Sequence, residues 1–342
     1  MRNFKKFVSL IFICVMVMGI SGCGEKQATD YPAGSDAQRG SEIAFTTHER
    51  EVTADEYRYY VVKNAVRELY ANADFDGNFT AVNWGEKAED GKTLAERIEE
   101  KAKDELLGDV LLANLGESKG VALSGDEKEQ ADIMMQQFID GNSEEELMLE
   151  IGQTGILSKQ GFKKVYELSN LRAKVEEDIE THRDKYIGED LALVLENYKS
   201  DEVASAQHIL IMNDSKVFDA PRVAIEEILI RAKFGENFEA LMEEYNEDPG
   251  ESSGGYTFGR GVMVPEFEEA AFALGYNEIS DVVESEYGYH IIKRIVGTAE
   301  LCEYLKTVCD IEKNTEVTEK NSADKVMTDV YNVIQKIKGN QK

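Results

Sequence analysis

The sequence changes its periodicity near residue 200, and this change constrains the fold more than any other feature. Between about residues 41 and 200, apolar residues recur at helical spacing. From residue 203 onward, short apolar stretches of strand character alternate with helical segments, and a glycine-rich stretch covers 250–261. The pattern predicts an α+β protein in which a helical region precedes a small mixed domain.

Helix starts are marked by two capping sequences, Thr53-Ala54-Asp55-Glu56 and Ser124-Gly125-Asp126-Glu127. The pattern also predicts a short strand at 43–45. Further helices of the first region are predicted over 93–115, from Ser143, over 158–185 and over 189–199. In the mixed domain we expect strands near 207–212, 281–284 and 289–296 and helices at about 219–234, 238–246 and 265–274. The C-terminal segment, 298–342, contains one clear amphipathic helix, Ser322–Lys338, whose apolar stripe needs a partner surface.

The N-terminus has the features of a bacterial export signal. Basic residues precede an apolar run at 7–20, which is too short to span a bilayer and is typical of a signal peptide. The run ends in Ile20-Ser21-Gly22-Cys23, which resembles a lipobox, where the cysteine thiol is lipidated before cleavage. The alternative is an ordinary signal peptide followed by an accidental cysteine. We therefore expect a signal peptide over 1–22, lipidation (with palmitate among the acyl groups) at Cys23 and a flexible tether over 23–40.

The chain is strongly acidic. It has 342 residues, with 67 Asp or Glu against 38 Lys or Arg and a net charge of −29. Removing residues 1–22 takes away three positive charges, which leaves a net charge of −32 over 320 residues. Nucleic acid is therefore excluded as a partner, because phosphate binding needs clustered Lys and Arg. Four cysteines in a chain of this length do not form a disulfide scaffold.

An ordered set of motifs runs through residues 203–297. In chain order they are Ala206-Gln207-His208-Ile209-Leu210-Ile211, Phe234-Gly235-Glu236-Asn237-Phe238, Gly254-Gly255, the run 258–268, Ala270-Ala271-Phe272-Ala273-Leu274, Ile279-Ser280, Val283 and Tyr287-Gly288-Tyr289-His290-Ile291-Ile292. The whole segment resembles a parvulin-type peptidyl-prolyl cis-trans isomerase domain. The resemblance implies a small antiparallel sheet with surrounding helices, between the helical region and the C-terminal helix.

The chemistry of that family requires no metal, cofactor or nucleophile. Rotation about an X-Pro bond faces a barrier of ~18–20 kcal/mol because amide resonance must be broken, and no covalent bond has to form. An apolar pocket that grips the proline ring, together with a few fixed polar groups, is what favours the twisted amide.

The resemblance assigns roles to seven residues. His208 and His290 match the paired histidines beneath the family's site, and Asp248 aligns with the Cys or Asp that faces the rotating amide; these three are the predicted catalytic residues. Met263 and Phe267, four apart on a predicted helix, match the proline pocket. Many family members have Gly-Gly-Asp-Leu-Gly before the aromatic residue, and here the loop is two residues shorter. Either Tyr256 or Phe258 is expected to replace the missing leucine, and both are therefore candidate substrate-binding residues.

Each assignment has a structural alternative. A histidine in an apolar strand is usually a core residue with satisfied hydrogen bonds, and Met263 with Phe267 is compatible with ordinary core packing. Asp248 precedes Pro249 and is compatible with a simple turn.

A calcium-like loop and a pair of cysteines do not predict a functional site. Asn72 to Asn83 has the alternating oxygens of a calcium loop, but its twelfth position is Asn83, which cannot bind bidentately, so a solvated loop is the preferred interpretation. Cys302 and Cys309 are too far apart to bridge if they share one continuous helix, and a looser segment would leave their redox state open.

The order of segments resembles the PrsA-type extracytoplasmic foldases, with residues 41–200 similar to the N-terminal chaperone region of SurA. By that resemblance the C-terminal helix would pack on the N-terminal domain. The implied function is a lipid-anchored foldase on the extracytoplasmic face of the bacterial membrane that isomerises X-Pro bonds in unfolded or newly exported polypeptides. The alternative, motivated by the shortened loop, is a non-catalytic holdase whose parvulin domain is structural.

Overall fold

The computed structural model describes residues 40–47, 49–71, 81–141, 158–187, 203–250 and 254–340. The predicted signal peptide, Cys23, the tether up to residue 39, the helices at Ser143 and 189–199, and most of the calcium-like loop lie outside these residues. Within the described ranges, no helix combines the length and the apolar character needed to cross a membrane. The contacts divide the chain into a first unit (1–110, 122–171 and 309–342) and a second unit (111–121 and 172–308).

The elements follow one another in this chain order: β1 (Ile43–Thr47), β2 (Glu51–Thr53), α1 (Ala54–Ala71), α2 (Leu94–Ser118), α3 (Gly125–Gly141), α4 (Lys159–Thr181), α5 (Arg183–Tyr186), β3 (Val203–Met212), α6 (Pro221–Lys233), α7 (Phe238–Tyr245), β4 (Tyr256–Gly259), α8 (Pro265–Ala273), β5 (Val283–Glu284), β6 (Gly288–Ile295), α9 (Thr298–Val308), β7 (Ile311–Lys313), α10 (Thr315–Lys320) and α11 (Ala323–Asn340).

The first unit combines helices with a small antiparallel sheet of order β2-β1-β7. Phe45 of β1 is buried and its ring meets that of Tyr57 of α1 edge-on, 5.4 Å away. The C-terminal helix α11 packs on α1 and buries Val326, Met327 and Val330. Its first amide, at Ala323, donates a hydrogen bond to Glu99 Oε1 of α2 over 2.9 Å. This packing covers the described part of the apolar stripe on α11.

Both predicted capping sequences form. The backbone N–H of Thr53 donates to Glu56 Oε2 (2.8 Å), and that of Ser124 donates to Glu127 Oε2 (2.6 Å). The helix predicted over 158–185 ends earlier, at Thr181. His182 leaves the helical region with φ −132° and ψ 48°, and α5 follows as a single separate turn.

The second unit contains a four-stranded antiparallel sheet of order β4-β3-β6-β5. Successive side chains of a strand point to opposite faces, and each face therefore has its own core. Helices α6 and α7 cover one face, where Ile209, Ile211 and Ile291 are buried. Helix α8 covers the other face, where Ala206, Phe267 and Ile292 are buried. The α+β fold with a small antiparallel sheet and surrounding helices is the predicted one.

A buried ion pair connects β6 to the start of α9. The Arg294 guanidinium donates to Glu300 Oε1 and, through Nη1, to the backbone oxygen of Ser205 at 3.0 Å. Glu300 Oε2 accepts the backbone N–H of Gly297 at 3.0 Å. Burial raises the pKa of Glu300 and lowers that of Arg294. The hydrogen bonds to both ions offset part of their desolvation.

Candidate active site

The site is built around two neighbouring imidazoles on the face of the sheet that α8 covers. His208 of β3 lies opposite Ile292 of β6, and His290 of β6 lies opposite Leu210 of β3. The two histidines are therefore diagonal neighbours on one face, with ring centroids 5.4 Å apart. Both are almost fully buried, with exposed fractions of 3% and 4%.

His290 is held by the turn that precedes its own strand. Its Nε2 lies 2.7 Å from the hydroxyl oxygen of Ser285, which also accepts the backbone N–H of Tyr287 at 3.2 Å. The pKa of His290 is lowered from 6.5 to about 4, mainly by burial. The neighbouring His208 also lowers this pKa, and the charge of Asp248 raises it by a smaller amount. His290 is consequently neutral at pH 7, and the base of the site carries no charge from this ring.

Asp248 lies at the rim of the site, in the loop between α7 and β4. Its Oδ2 is 3.4 Å from Nε2 of His208. Two donors hold the carboxylate: the hydroxyl of Tyr256 on Oδ2 at 3.1 Å and the backbone N–H of Gly250 on Oδ1 at 2.9 Å. The Asp248 side chain is 22% exposed, so it faces both the buried imidazole and the solvent.

Phe267 forms the apolar floor of the site. Its buried ring meets both imidazoles at steep angles, with its centroid 5.2 Å from that of His208 and 5.6 Å from that of His290. Phe258 is also buried, and its ring packs against Phe267 at 5.8 Å and against Phe272 at 6.0 Å. The structure thus places Phe258 in the core that supports the floor.

Met263 is half-buried and packs against the same apolar cluster as Phe267. The prediction that the two residues lie four apart on one helix is wrong, because α8 begins at Pro265. Val264 is extended, with φ −61° and ψ 141°, since a residue before proline avoids the helical region. Met263 therefore reaches the cluster from the turn before the helix.

Tyr256 begins β4 directly after the shortened glycine loop. Its ring stacks on His208, with centroids 5.8 Å apart and an interplanar angle of 20°. Gly255 has φ +76°, and a Cβ there would lie 2.5 Å from the backbone oxygen of Ala206. The short loop thus lets β4 approach β3 closely, which places the Tyr256 phenol beside Asp248.

The seven predicted residues form one cluster. The supporting role of Ser285 was missed, because a serine in a turn carries no signal of a distant partner. Within the part of the chain that the structure describes, no three His, Cys, Asp or Glu side chains are grouped to hold a metal ion. The cluster offers an apolar floor, a neutral imidazole and one fixed carboxylate.

Comparison with known proteins agrees with this geometry. Residues 191–296 match the model of the PPIC-type PPIase domain family. The chain is 29% identical over 296 residues to the foldase protein PrsA of Caldanaerobacter subterraneus subsp. tengcongensis, covering 85% of this chain and 82% of the relative. It is 38% identical over 135 residues to the foldase protein PrsA of Geobacillus kaustophilus, covering 38% of this chain and 43% of the relative. The match therefore spans less than half the length of the second relative.

Among solved structures, NmPin, the parvulin of Nitrosopumilus maritimus, is 36% identical and covers 28% of this chain and 97% of its own, with a TM-score of 0.23. The matched family model lies over the segment that holds both histidines, the carboxylate and the aromatic floor. Residues 191–296 therefore form a parvulin-type peptidyl-prolyl isomerase domain, and most of the chain is similar to a PrsA foldase.

Proposed function

We propose that this chain is a lipid-anchored extracytoplasmic foldase that isomerises X-Pro bonds in exported polypeptides. The observation that carries the proposal is the buried His208–His290 pair, faced by the Asp248 carboxylate 3.4 Å from His208 and floored by Phe267. Two imidazoles and a carboxylate around an aromatic floor are more than a core needs, because each buried polar group adds a desolvation cost.

The geometry supports catalysis by unequal stabilisation of two amide states. A planar amide is more polar than a twisted one, because resonance places partial negative charge on the carbonyl oxygen and partial positive charge on the nitrogen. An apolar site around Phe267 and Met263 disfavours the planar state, and the negative charge of Asp248 next to the carbonyl oxygen disfavours it further. Both effects lower the barrier to rotation without a covalent step.

In this proposal the neutral His290 and the neighbouring His208 ring maintain the shape of the site, and neither exchanges protons with substrate. The Ser285 hydroxyl fixes the ring of His290, and the ring of His208 separates Asp248 from the floor. The proline ring would lie on Phe267, flanked by Met263. The helical regions on either side of the isomerase domain would hold unfolded clients.

The location of the protein is proposed from the sequence. An apolar run at 7–20 followed by Ser21-Gly22-Cys23 favours export and lipidation at Cys23. A Cys23→Ala variant produced in a Gram-positive host should lose membrane association and metabolic labelling by a fatty acid. A variant that still sediments with membranes and still takes up label would refute lipid anchoring at this residue.

A peptide assay tests the isomerase activity. The full chain without residues 1–22 should accelerate cis-trans exchange of a short X-Pro peptide, measured by NMR exchange between the two isomers. An exchange rate equal to the uncatalysed rate would contradict the proposal. If the same preparation still suppressed client aggregation, the holdase alternative would replace it.

A further inference from the structure

We infer that Tyr256 is a positioning residue whose hydroxyl fixes the Asp248 carboxylate beside His208. This inference rests on the proposed function and adds a component to the same site. The prediction that Tyr256 binds substrate treats its ring as a pocket wall; the contacts of the ring and the hydroxyl point to a different role.

The Tyr256 hydroxyl is a side-chain hydrogen-bond donor to the Asp248 carboxylate. It donates to Oδ2, the same oxygen that lies 3.4 Å from His208 Nε2. The other donor, the Gly250 backbone, binds Oδ1. The two donors therefore fix both oxygens, and the tyrosine sets the orientation of the oxygen that faces the imidazole.

The backbone around Tyr256 leaves its ring little freedom. Tyr256 pairs with Ala206 in the sheet, and Gly255 approaches the Ala206 oxygen so closely that no side chain fits there. On the other side, a Cβ on Gly250 would lie 2.9 Å from the Tyr256 hydroxyl oxygen. The ring is also stacked on His208, so strand, turn and imidazole together direct the phenol towards the carboxylate.

The consequence for the reaction is specific. A carboxylate without this donor keeps only the Gly250 contact on Oδ1, so its partly exposed Oδ2 would turn away from the position beside the rotating amide. Loss of the hydroxyl should therefore reduce turnover while the apolar floor continues to bind the proline ring.

The test compares Tyr256→Phe with Tyr245→Phe in the full chain without residues 1–22. Both changes remove one phenol oxygen that makes hydrogen bonds, but Tyr245 packs with the helices on the opposite face of the sheet, where it contacts Arg231 and Glu244. Tyr256→Phe should lower kcat roughly three- to tenfold with KM unchanged within about twofold. Tyr245→Phe should leave both constants unchanged.

A double-mutant cycle then identifies the partner. In an Asp248→Ala background, Tyr256→Phe should cause no further loss. An unchanged kcat in Tyr256→Phe, a loss confined to KM, or an equal loss in the Asp248→Ala background would each overturn the inference.

A carboxyl NMR measurement keeps the inference separate from the activity. The ¹³C carboxyl resonance of Asp248, identified by its absence in Asp248→Ala, should shift in Tyr256→Phe and stay in place in Tyr245→Phe. If the wild-type chain accelerated no exchange, the proposed function would fail while this resonance still tested the Tyr256–Asp248 contact. An unmoved resonance in Tyr256→Phe would refute the contact.

Discussion

At the residue scale, the protonation state of His290 depends on which of its buried ring nitrogens have hydrogen-bond partners. His290 has a hydroxyl partner for Nε2, whereas its Nδ1 has no hydrogen-bond partner among the described residues. An imidazolium would leave that second N–H buried without an acceptor. The neutral form is consequently favoured, in agreement with the pKa of about 4.

This burial predicts a pH dependence of stability. The pKa of His290 is lower in the folded chain (about 4) than its ordinary value of 6.5, so between these values the unfolded chain binds more protons. The contribution of His290 to the free energy of unfolding is complete above about pH 6.5 and is lost as pH falls towards 4. The difference between the two pKa values corresponds to at most roughly 3 kcal/mol of unfolding free energy.

The measurement is urea unfolding between pH 4.5 and 7.5 for wild type, His290→Asn and, as a control, the exposed His182→Asn. The fall in unfolding free energy on acidification should be smaller in His290→Asn than in the other two proteins. A wild-type pH dependence in His290→Asn would contradict the neutral assignment. His208 and Asp248 face His290 and are kept in all three proteins, so the comparison reports His290 together with its coupling to these two groups.

At the element scale, the glycine loop before β4 brings the backbone of Gly255 close to the backbone of β3. Gly255→Ala should destabilise the second unit by more than about 2 kcal/mol, because a Cβ would meet the backbone oxygen of Ala206 at 2.5 Å and would also occupy φ +76°. Gly261→Ala is the matched control, with φ +78° and no atom within 4 Å of its added Cβ. It should cost only the strain of the backbone, about 1–2 kcal/mol. Equal unfolding free energies for the two variants would show that the close contact is unimportant.

The junction between β6 and α9 depends on the Arg294–Glu300 pair. Glu300→Ala leaves the buried guanidinium without its carboxylate, and we expect a loss of about 3–5 kcal/mol in unfolding free energy. Glu303→Ala removes a carboxylate from the same helix that is 42% exposed and pairs with Lys306 at 2.6 Å. It should change stability by less than about 1 kcal/mol, measured by the same denaturant titration. A small loss in Glu300→Ala would mean that Arg294 finds water or another acceptor.

Elements with a strong local pattern could be predicted from the sequence. Capping sequences with glutamate at the third helical position mark the starts of α1 and α3, and α6, α7 and α8 lie within one or two residues of their predicted bounds. The three-residue strands β2 and β7 could not be predicted, because they are defined by pairing with β1. Helix α9 was not predicted either.

The turn placement of Met263 and the Tyr256–Asp248 contact depend on how two loops close, which the spacing of residues does not encode.

At the scale of the whole molecule, the excess of acidic residues extends over the isomerase segment. Residues 203–297 contain 18 Asp or Glu against 7 Lys or Arg. Acidity of this kind keeps a protein soluble and away from anionic headgroups. It also predicts a preference for basic or neutral unfolded clients, because long-range attraction raises the rate of encounter.

Salt should reveal that preference. Suppression of aggregation of a basic client should weaken as ionic strength rises from about 0.01 to 0.5 M, since the screening length falls from about 30 Å to a few Å. An acidic client of similar size is the control and should show no such weakening. Equal salt dependence for both clients would contradict a role for the net charge in client choice.

We propose a catalytic role in isomerisation for the Asp248 carboxylate beside the histidine pair. Its most direct test is kcat/KM for an X-Pro peptide with wild type, Asp248→Asn and Asp214→Asn, the last being an exposed aspartate of the same domain whose 3.7 Å ion pair with Lys216 lies at the surface. We predict a loss of about tenfold or more for Asp248→Asn, because the charge that disfavours the planar amide is gone, and no change for Asp214→Asn. A wild-type value for a folded Asp248→Asn protein would show that the Asp248 charge does not contribute to catalysis.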